Sequence, residues 1–180
     1  VHPRLNVLGG AERVLVHMLK ALQENDLSLM TDCWDTEAVE KMYGVKLSGV
    51  KWIQCASFCP SSQHLVAFQW LRYARRINHL IREVCRHYDL LIETQQVYAS
   101  PCSGMPLINY IHYPDLIAPP PEGNFTSSIY YALLRPLVLG RIKKINLALT
   151  NSPFTARIIE KYLKIKPLVA VSYTHLRAHE

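Results

Sequence analysis

The sequence predicts an α/β fold built on a doubly wound parallel sheet, and three observations predict it. Short apolar runs alternate with amphipathic helical stretches along the chain, the pattern of strand–helix units that cover both faces of a sheet. A Gly9-Gly10 pair separates the first apolar run from the first helical one, as where a strand turns into a helix N-terminus. The 180 residues are 49% hydrophobic and 19% charged, which suits a globular core of ordinary domain size and argues against disorder.

The elements follow in order. Val14, Met18, Ala21 and Leu22 recur at three- and four-residue spacing, so a helix is expected over Gly10–Glu24. Leu27–Met30 reads as a strand, Thr36–Tyr43 as a short helix and Val50–Gln54 as an alternating strand. Pro60-Ser61-Ser62 breaks the chain and offers a cap to a long helical pattern, Gln63–His87. In that pattern Ala67, Trp70, Leu71, Ala74, Ile77, Ile81, Val84 and Tyr88 form one apolar stripe. Arg72, Arg75, Arg76, His79, Arg82 and Arg86 fall largely outside it, a basic face suited either to solvent or to an anionic membrane surface. Asp89–Glu93 and Leu107–Ile111 are compact apolar strands joined by a loop containing Gln95–Pro106. A proline-rich loop, Pro114–Gly123, precedes a helix over Ser127–Lys144 with a kink expected at Pro136. Asn146–Leu149 is a strand, Pro153–Leu163 a helix with proline at its start, and Leu168–Val171 a strand.

The net charge of +6 favours anionic partners such as phosphates, nucleic acid or an acidic membrane surface. No RNP-like aromatic motif or Lys/Arg-rich run supports nucleic acid, which is therefore not expected as a partner. No apolar run approaches the ~18 residues of a spanning helix, and no signal peptide is visible. The five cysteines, Cys33, Cys55, Cys59, Cys85 and Cys102, are odd in number and lack paired CxxC spacing. They read as buried free thiols of a reducing compartment, and no metal site is expected.

Ligands of such folds bind beyond the C-terminal ends of the strands. That selects Asn6–Gly10, Thr94–Ala99, His112–Asp115 and Asn151-Ser152. A Gly-Gly turn before a helix is either a plain turn or a phosphate cradle, because backbone N–H groups and the helix dipole meet there without a side chain in the way. Glu12, in the first helical turn, suits the dipole; it positions the glycine turn or touches a sugar. Arg13 either neutralises phosphate or pairs with a carboxylate. His112, at a strand end, is able to donate or accept a hydrogen bond near neutral pH. Ser152 before Pro153 is a natural helix cap.

Three segments carry a resemblance. His2-Pro3-x-Leu5-Asn6-x-x-Gly9-Gly10-Ala11-Glu12-Arg13-Val14 resembles the opening of family 4 glycosyltransferases, retaining enzymes of the GT-B fold. Tyr110-Ile-His112-Tyr113-Pro114 is similar to a segment of the lipid-linked-oligosaccharide α-1,2-mannosyltransferases, and Asn151-Ser152-x-x-Thr155 to a third family segment. The resemblance implies a Rossmann-like N-terminal, acceptor-side domain over residues 1–171. It implies hexose transfer, with GDP-mannose the expected donor, to a polyprenyl-diphosphate-linked glycan. Gly9, Gly10 and Arg13 would face the donor diphosphate and His112 would serve as the catalytic group. Asn6, Glu12, Thr94, Tyr113, Asp115, Asn151 and Ser152 would line the acceptor cleft. No cofactor or metal is implied beyond the nucleotide sugar. The family's second, donor-binding domain with its Glu-x7-Glu motif would follow the last strand. This chain does not reach it, so the fragment alone is expected to be inactive. Residues 172–180 instead resemble translated sequencing-adapter read-through and are expected to be non-native. Placement is expected to be cytoplasmic, on the cytoplasmic membrane face if the basic helix docks. The alternatives are another GT-B enzyme, either a surface-polysaccharide transferase or a nucleotide-sugar epimerase, and a noncatalytic anion-binding module.

Overall fold

The computed structural model describes residues 1–2, 9–31, 35–55, 66–94, 99–114, 135–136 and 138–170. The chain divides into two compact units, Val1–Ser57 and Phe58–Val171. Both are α/β with parallel strands.

In the first unit, α1 (Gly10–Ala21) starts at the N-cap Gly9 and β1 (Ser28–Thr31) follows. The helix stops short of the expected Glu24. Asn25 takes the Leu22 carbonyl with both its backbone N–H (2.9 Å) and its side-chain amide (3.0 Å), drawing the chain into a turn. Helix α2 (Thr36–Tyr43) has the expected bounds because both ends are capped locally. The Asp35 carboxylate accepts from Ala38 N at 3.0 Å, and Gly44 takes the left-handed conformation (φ 65°) that closes the C-terminus. Strand β2 (Lys51–Gln54) pairs with β1 in parallel, Ser28 opposite Lys51 and Thr31 opposite Gln54. Leu15, Val16 and Leu19 of α1 pack with Leu29, Val39, Val45 and Leu47 as the core of this unit.

The second unit opens with α3 (Val66–Val84), whose last turn tightens into a 3-10 turn at Cys85–His87. Strands β3 (Leu91–Glu93), β4 (Leu107–Ile111), β5 (Leu147–Thr150) and β6 (Leu168–Val169) form one parallel sheet in that spatial order. Residues 135–136 and 138–142 are helical, so Pro136 lies in a helix as expected; 127–134 are outside the described residues. Helix α4 (Pro153–Leu163) has the expected bounds: it begins at its proline and Ser152 cap and ends where Lys164 takes the left-handed conformation (φ 59°). Ala74, Ile111, Val138, Ile142, Ile159 and Leu163 form the core. The predicted α3 stripe is buried at Ala74, Ile77 and Ile81 and half-buried at Val84 and Tyr88; the side chains of Ala67, Trp70 and Leu71 are outside the described set.

The cysteine expectation needs correction. Cys85 and Cys102 form a disulfide, with Cα atoms 6.2 Å apart, that ties the end of α3 to the loop before β4. Packing of α3 over that loop brings the two residues to bridging distance, which spacing in sequence does not reveal. Cys55 is buried and lies outside any disulfide, as the thiol reading expects. Cys33 and Cys59 are outside the described residues.

Candidate functional site

The predicted residues fall in two places, one in each unit. In the first unit they form a locked glycine turn. Gly9 N donates to Glu12 Oε2 at 3.0 Å, the reciprocal half of a capping box that a glycine N-cap leaves without its side-chain half. The Gly9 carbonyl accepts from Arg13 N at 3.1 Å and from the Tyr43 hydroxyl at 2.9 Å. Glu12 Oε1 lies 3.4 Å from Nε2 of His2, a fully buried ring whose backbone N–H donates to Met30 O at 3.0 Å. Of its expected roles, Glu12 therefore takes that of positioning the turn. Burial pushes the Glu12 carboxyl up. The His2 hydrogen bond, the backbone N–H groups of Glu12 and Gly9 and the His2 charge outweigh it and hold the group below its ordinary value. Burial, and then the Glu12 charge, push the Tyr43 hydroxyl above its ordinary value against the opposing effect of Arg13.

This geometry separates the two glycines. A Cβ on Gly9 would stand 2.9 Å from Glu12 Oε2, whereas one on Gly10 would meet nothing within 4 Å among the described residues. Neither has the positive φ that a glycine-requiring turn would show; the positive-φ glycines are Gly44, Gly49 and Gly104. The Gly9 N–H is committed to Glu12, while Gly10, the first residue of the helix, is exposed. Arg13 is exposed and forms no ion pair among the described residues. Asn6 lies outside them.

In the second unit the residues lie along the C-terminal edge of the parallel sheet. Ile111 pairs with Thr150, so the residues that follow them, His112 and Asn151, emerge side by side from β4 and β5. The Thr150 hydroxyl donates to Ile111 O at 2.9 Å and ties the two strand ends together. His112 is half-buried, its ring 4.8 Å from that of Tyr110 and tilted by 54°. Tyr110, its hydroxyl pushed up by burial, donates to Ala170 O at 3.0 Å. Asn151 Oδ1 is buried without a hydrogen-bond partner among the described residues. Thr94 is buried directly after β3, and Tyr113 is 40% exposed. Ser152 is the cap of α4: its Oγ accepts from Thr155 N at 3.1 Å and lies 2.9 Å from the Thr155 hydroxyl. Asp115 lies outside the described residues.

Three partners were not singled out from sequence as site residues. His2 and Tyr43 hold the glycine turn from positions 10 residues before Glu12 and 34 after Gly9, and no local pattern announces either contact. Glu93 is the third. Its buried carboxylate accepts from Asn109 Nδ2 at 2.7 Å and from Ala99 N at 2.9 Å, anchoring the end of the loop after β3. An acid closing an otherwise apolar strand was its only trace in the sequence. No cluster among the described residues has the makings of a metal site, and no described helix is long and apolar enough to cross a membrane. Compared with known proteins, the chain matches no family model and no curated protein.

Proposed function

We propose that this chain is the acceptor-side, Rossmann-like part of a retaining hexosyltransferase of the GT-B type, its sheet doubly wound in the complete domain. Mannose from a GDP-linked donor is the expected sugar, and a polyprenyl-diphosphate-linked glycan the acceptor. The observation that carries this reading is the C-terminal edge of the sheet, where parallel register sets His112 beside Asn151 in the position at which α/β sheets bind ligands. In the transfer, the bond from the sugar C1 to the donor phosphate breaks and a bond from C1 to an acceptor oxygen forms. The nucleoside diphosphate leaves with the bonding electrons, and the acceptor hydroxyl gives up its proton to the departing phosphate oxygen. His112 hydrogen-bonds the sugar or stabilises the charge that develops there. The Gly10 and Ala11 N–H groups, with Arg13, face the leaving phosphates.

The test uses the full-length reading frame, GDP-mannose and a polyprenyl-diphosphate glycan, with the anomeric configuration of the product read by NMR. Gly10→Val should fold normally and lose turnover, because the new side chain meets open space in the protein but blocks a phosphate approaching the backbone. His112→Ala should lower kcat more than it weakens donor binding. Wild-type turnover in both variants overturns the reading. A second reading concerns placement: Arg72, Arg75, Arg76, Arg82 and Arg86 are all exposed, which favours docking of this face on an anionic membrane surface.

A further inference from the structure

Arg75 and Arg82 stand two turns apart on α3, with Asn78 between them. Asn78 is 8% exposed and uses both ends of its amide: Nδ2 donates to Ala74 O at 2.5 Å, and Oδ1 accepts from Ser100 N at 2.7 Å. It thereby fixes the chain at Ser100 against the helix. The Ser100 hydroxyl in turn accepts from Lys144 Nζ at 2.7 Å, and Arg141 lies one turn before Lys144. These residues surround an open cavity of about 470 Å³, which Gly140 also lines. Four cations from two parts of the chain share it, and none of the described residues that line it is a carboxylate. The neighbouring cavity, about 620 Å³, also contains Arg82 but includes Asp89, which offsets part of the positive charge. Like charges gathered around one cavity repel one another, so a compact multivalent anion is the ligand that suits it. Arginine forks bind phosphoryl oxygens bidentately, lysine binds them as a point charge, and a serine hydroxyl supplies a neutral donor.

We propose that this cavity is a phosphate-binding site that takes a terminal phosphate or diphosphate group. It shares no residue with the glycine turn or with the C-terminal edge of the sheet, so it does not rest on the transferase reading. Asn78 acts in it as a positioning residue for Ser100.

Gly140 provides the test. A Cβ there meets nothing within 4 Å, so a carboxylate can be placed at the cavity without steric conflict. Inorganic diphosphate is titrated into the full chain by calorimetry, with thermal melts confirming that each variant is folded. Gly140→Asp should weaken binding roughly tenfold or more, and Arg75→Gln should weaken it in the same direction. Gly140→Ala, which adds volume without charge, should bind like the parent. Failure of the parent to bind diphosphate or phosphatidic acid vesicles overturns the proposal. So does binding of both probes that Gly140→Asp leaves unchanged, or equal losses in Gly140→Asp and Gly140→Ala. The source of the phosphate is read in a second arm, co-sedimentation with phosphatidylcholine vesicles containing phosphatidic acid. Vesicle binding that Gly140→Asp reduces and free diphosphate competes away identifies a lipid headgroup. Vesicle binding indifferent to Gly140→Asp, beside diphosphate binding that is sensitive to it, identifies a soluble phosphate. No nucleotide sugar or turnover enters either arm, so failure here leaves the transferase test standing, and the reverse holds too.

Discussion

Replacing either glycine of the Gly9-Gly10 pair by alanine should change stability in opposite directions. At Gly9 the backbone is extended (φ −125°), so alanine meets no conformational barrier. The obstacle is its Cβ, which would lie 2.9 Å from Glu12 Oε2. The end of the carboxylate has to shift, which weakens its 3.0 Å bond from Gly9 N and its contact with His2. A hydrogen bond to a charged group contributes about 1.5–3 kcal/mol. Against this, Gly→Ala reduces the freedom of the unfolded chain by about 0.4–1 kcal/mol. The net expectation for Gly9→Ala is a loss of about 1–2 kcal/mol. Gly10 is the first helical residue, and its Cβ would meet open space, so Gly10→Ala should gain about 0.4–1 kcal/mol. The assay is urea unfolding by circular dichroism, paired with amide exchange at Arg13, whose N–H bonds to Gly9 O. Equal stability of the two variants, or a less stable Gly10→Ala, would refute the assignment of Glu12 as the cap.

Three further outcomes are expected. The Glu12 pKa is lower in the folded than in the unfolded state, so its stabilisation is complete above the unfolded value of about 4.3 and is lost as pH falls through the folded one. Glu12→Gln should therefore flatten the acid limb of a plot of urea midpoint against pH. The disulfide closes a loop between residues 17 apart, so Cys102→Ser should cost about 3 kcal/mol, and alkylation without reductant should spare Cys85 and Cys102. Arg72, Arg76 and Arg86 changed together to Glu should abolish co-sedimentation with anionic vesicles, whereas the parent's bound fraction falls with salt and neutral vesicles leave it free; equal binding of parent and triple variant would reject the docking face.

Much of the fold was legible because its determinants are local. The bounds of α2 follow from Asp35 and Gly44 and the start of α4 from Ser152 and Pro153, each within a turn of the end it fixes. Strand β4 is readable because it is buried at four of its five positions, and an apolar run records that directly. The end of α1 was misread because an asparagine side chain outbid the helix for one carbonyl. What stayed hidden depends on contacts across the chain. The disulfide needs α3 laid over the loop before β4, and the Glu93–Asn109 bond needs β3 and β4 in register. At the candidate site, the place of His112 and Asn151 at the C-terminal ends of parallel strands was within reach of the alternating pattern, although their register was not. The locking of Gly9 by Tyr43 and His2 was not.

The locked turn bears on why two glycines stand together. Gly9 has a reason inside the protein, since its missing Cβ leaves room for the Glu12 carboxylate. Gly10 has none among the described residues: its φ is not positive, and the space around it is open. Glycine at a helical position sacrifices roughly 0.5–1 kcal/mol relative to alanine in a helix interior. On the transferase reading proposed above, such a position is one where a phosphate approaches the backbone. Gly10 is exposed at the positive end of α1, beside the exposed Arg13. On that reading a phosphate meets Gly10 rather than Gly9, whose N–H is taken by Glu12. The cap is itself a carboxylate, so its negative charge opposes an incoming phosphate unless its hydrogen bonds hold it back. The bonds to Gly9 N and His2 hold the Glu12 carboxylate in place, so on the proposed reading the buried histidine helps keep the turn open to a phosphate.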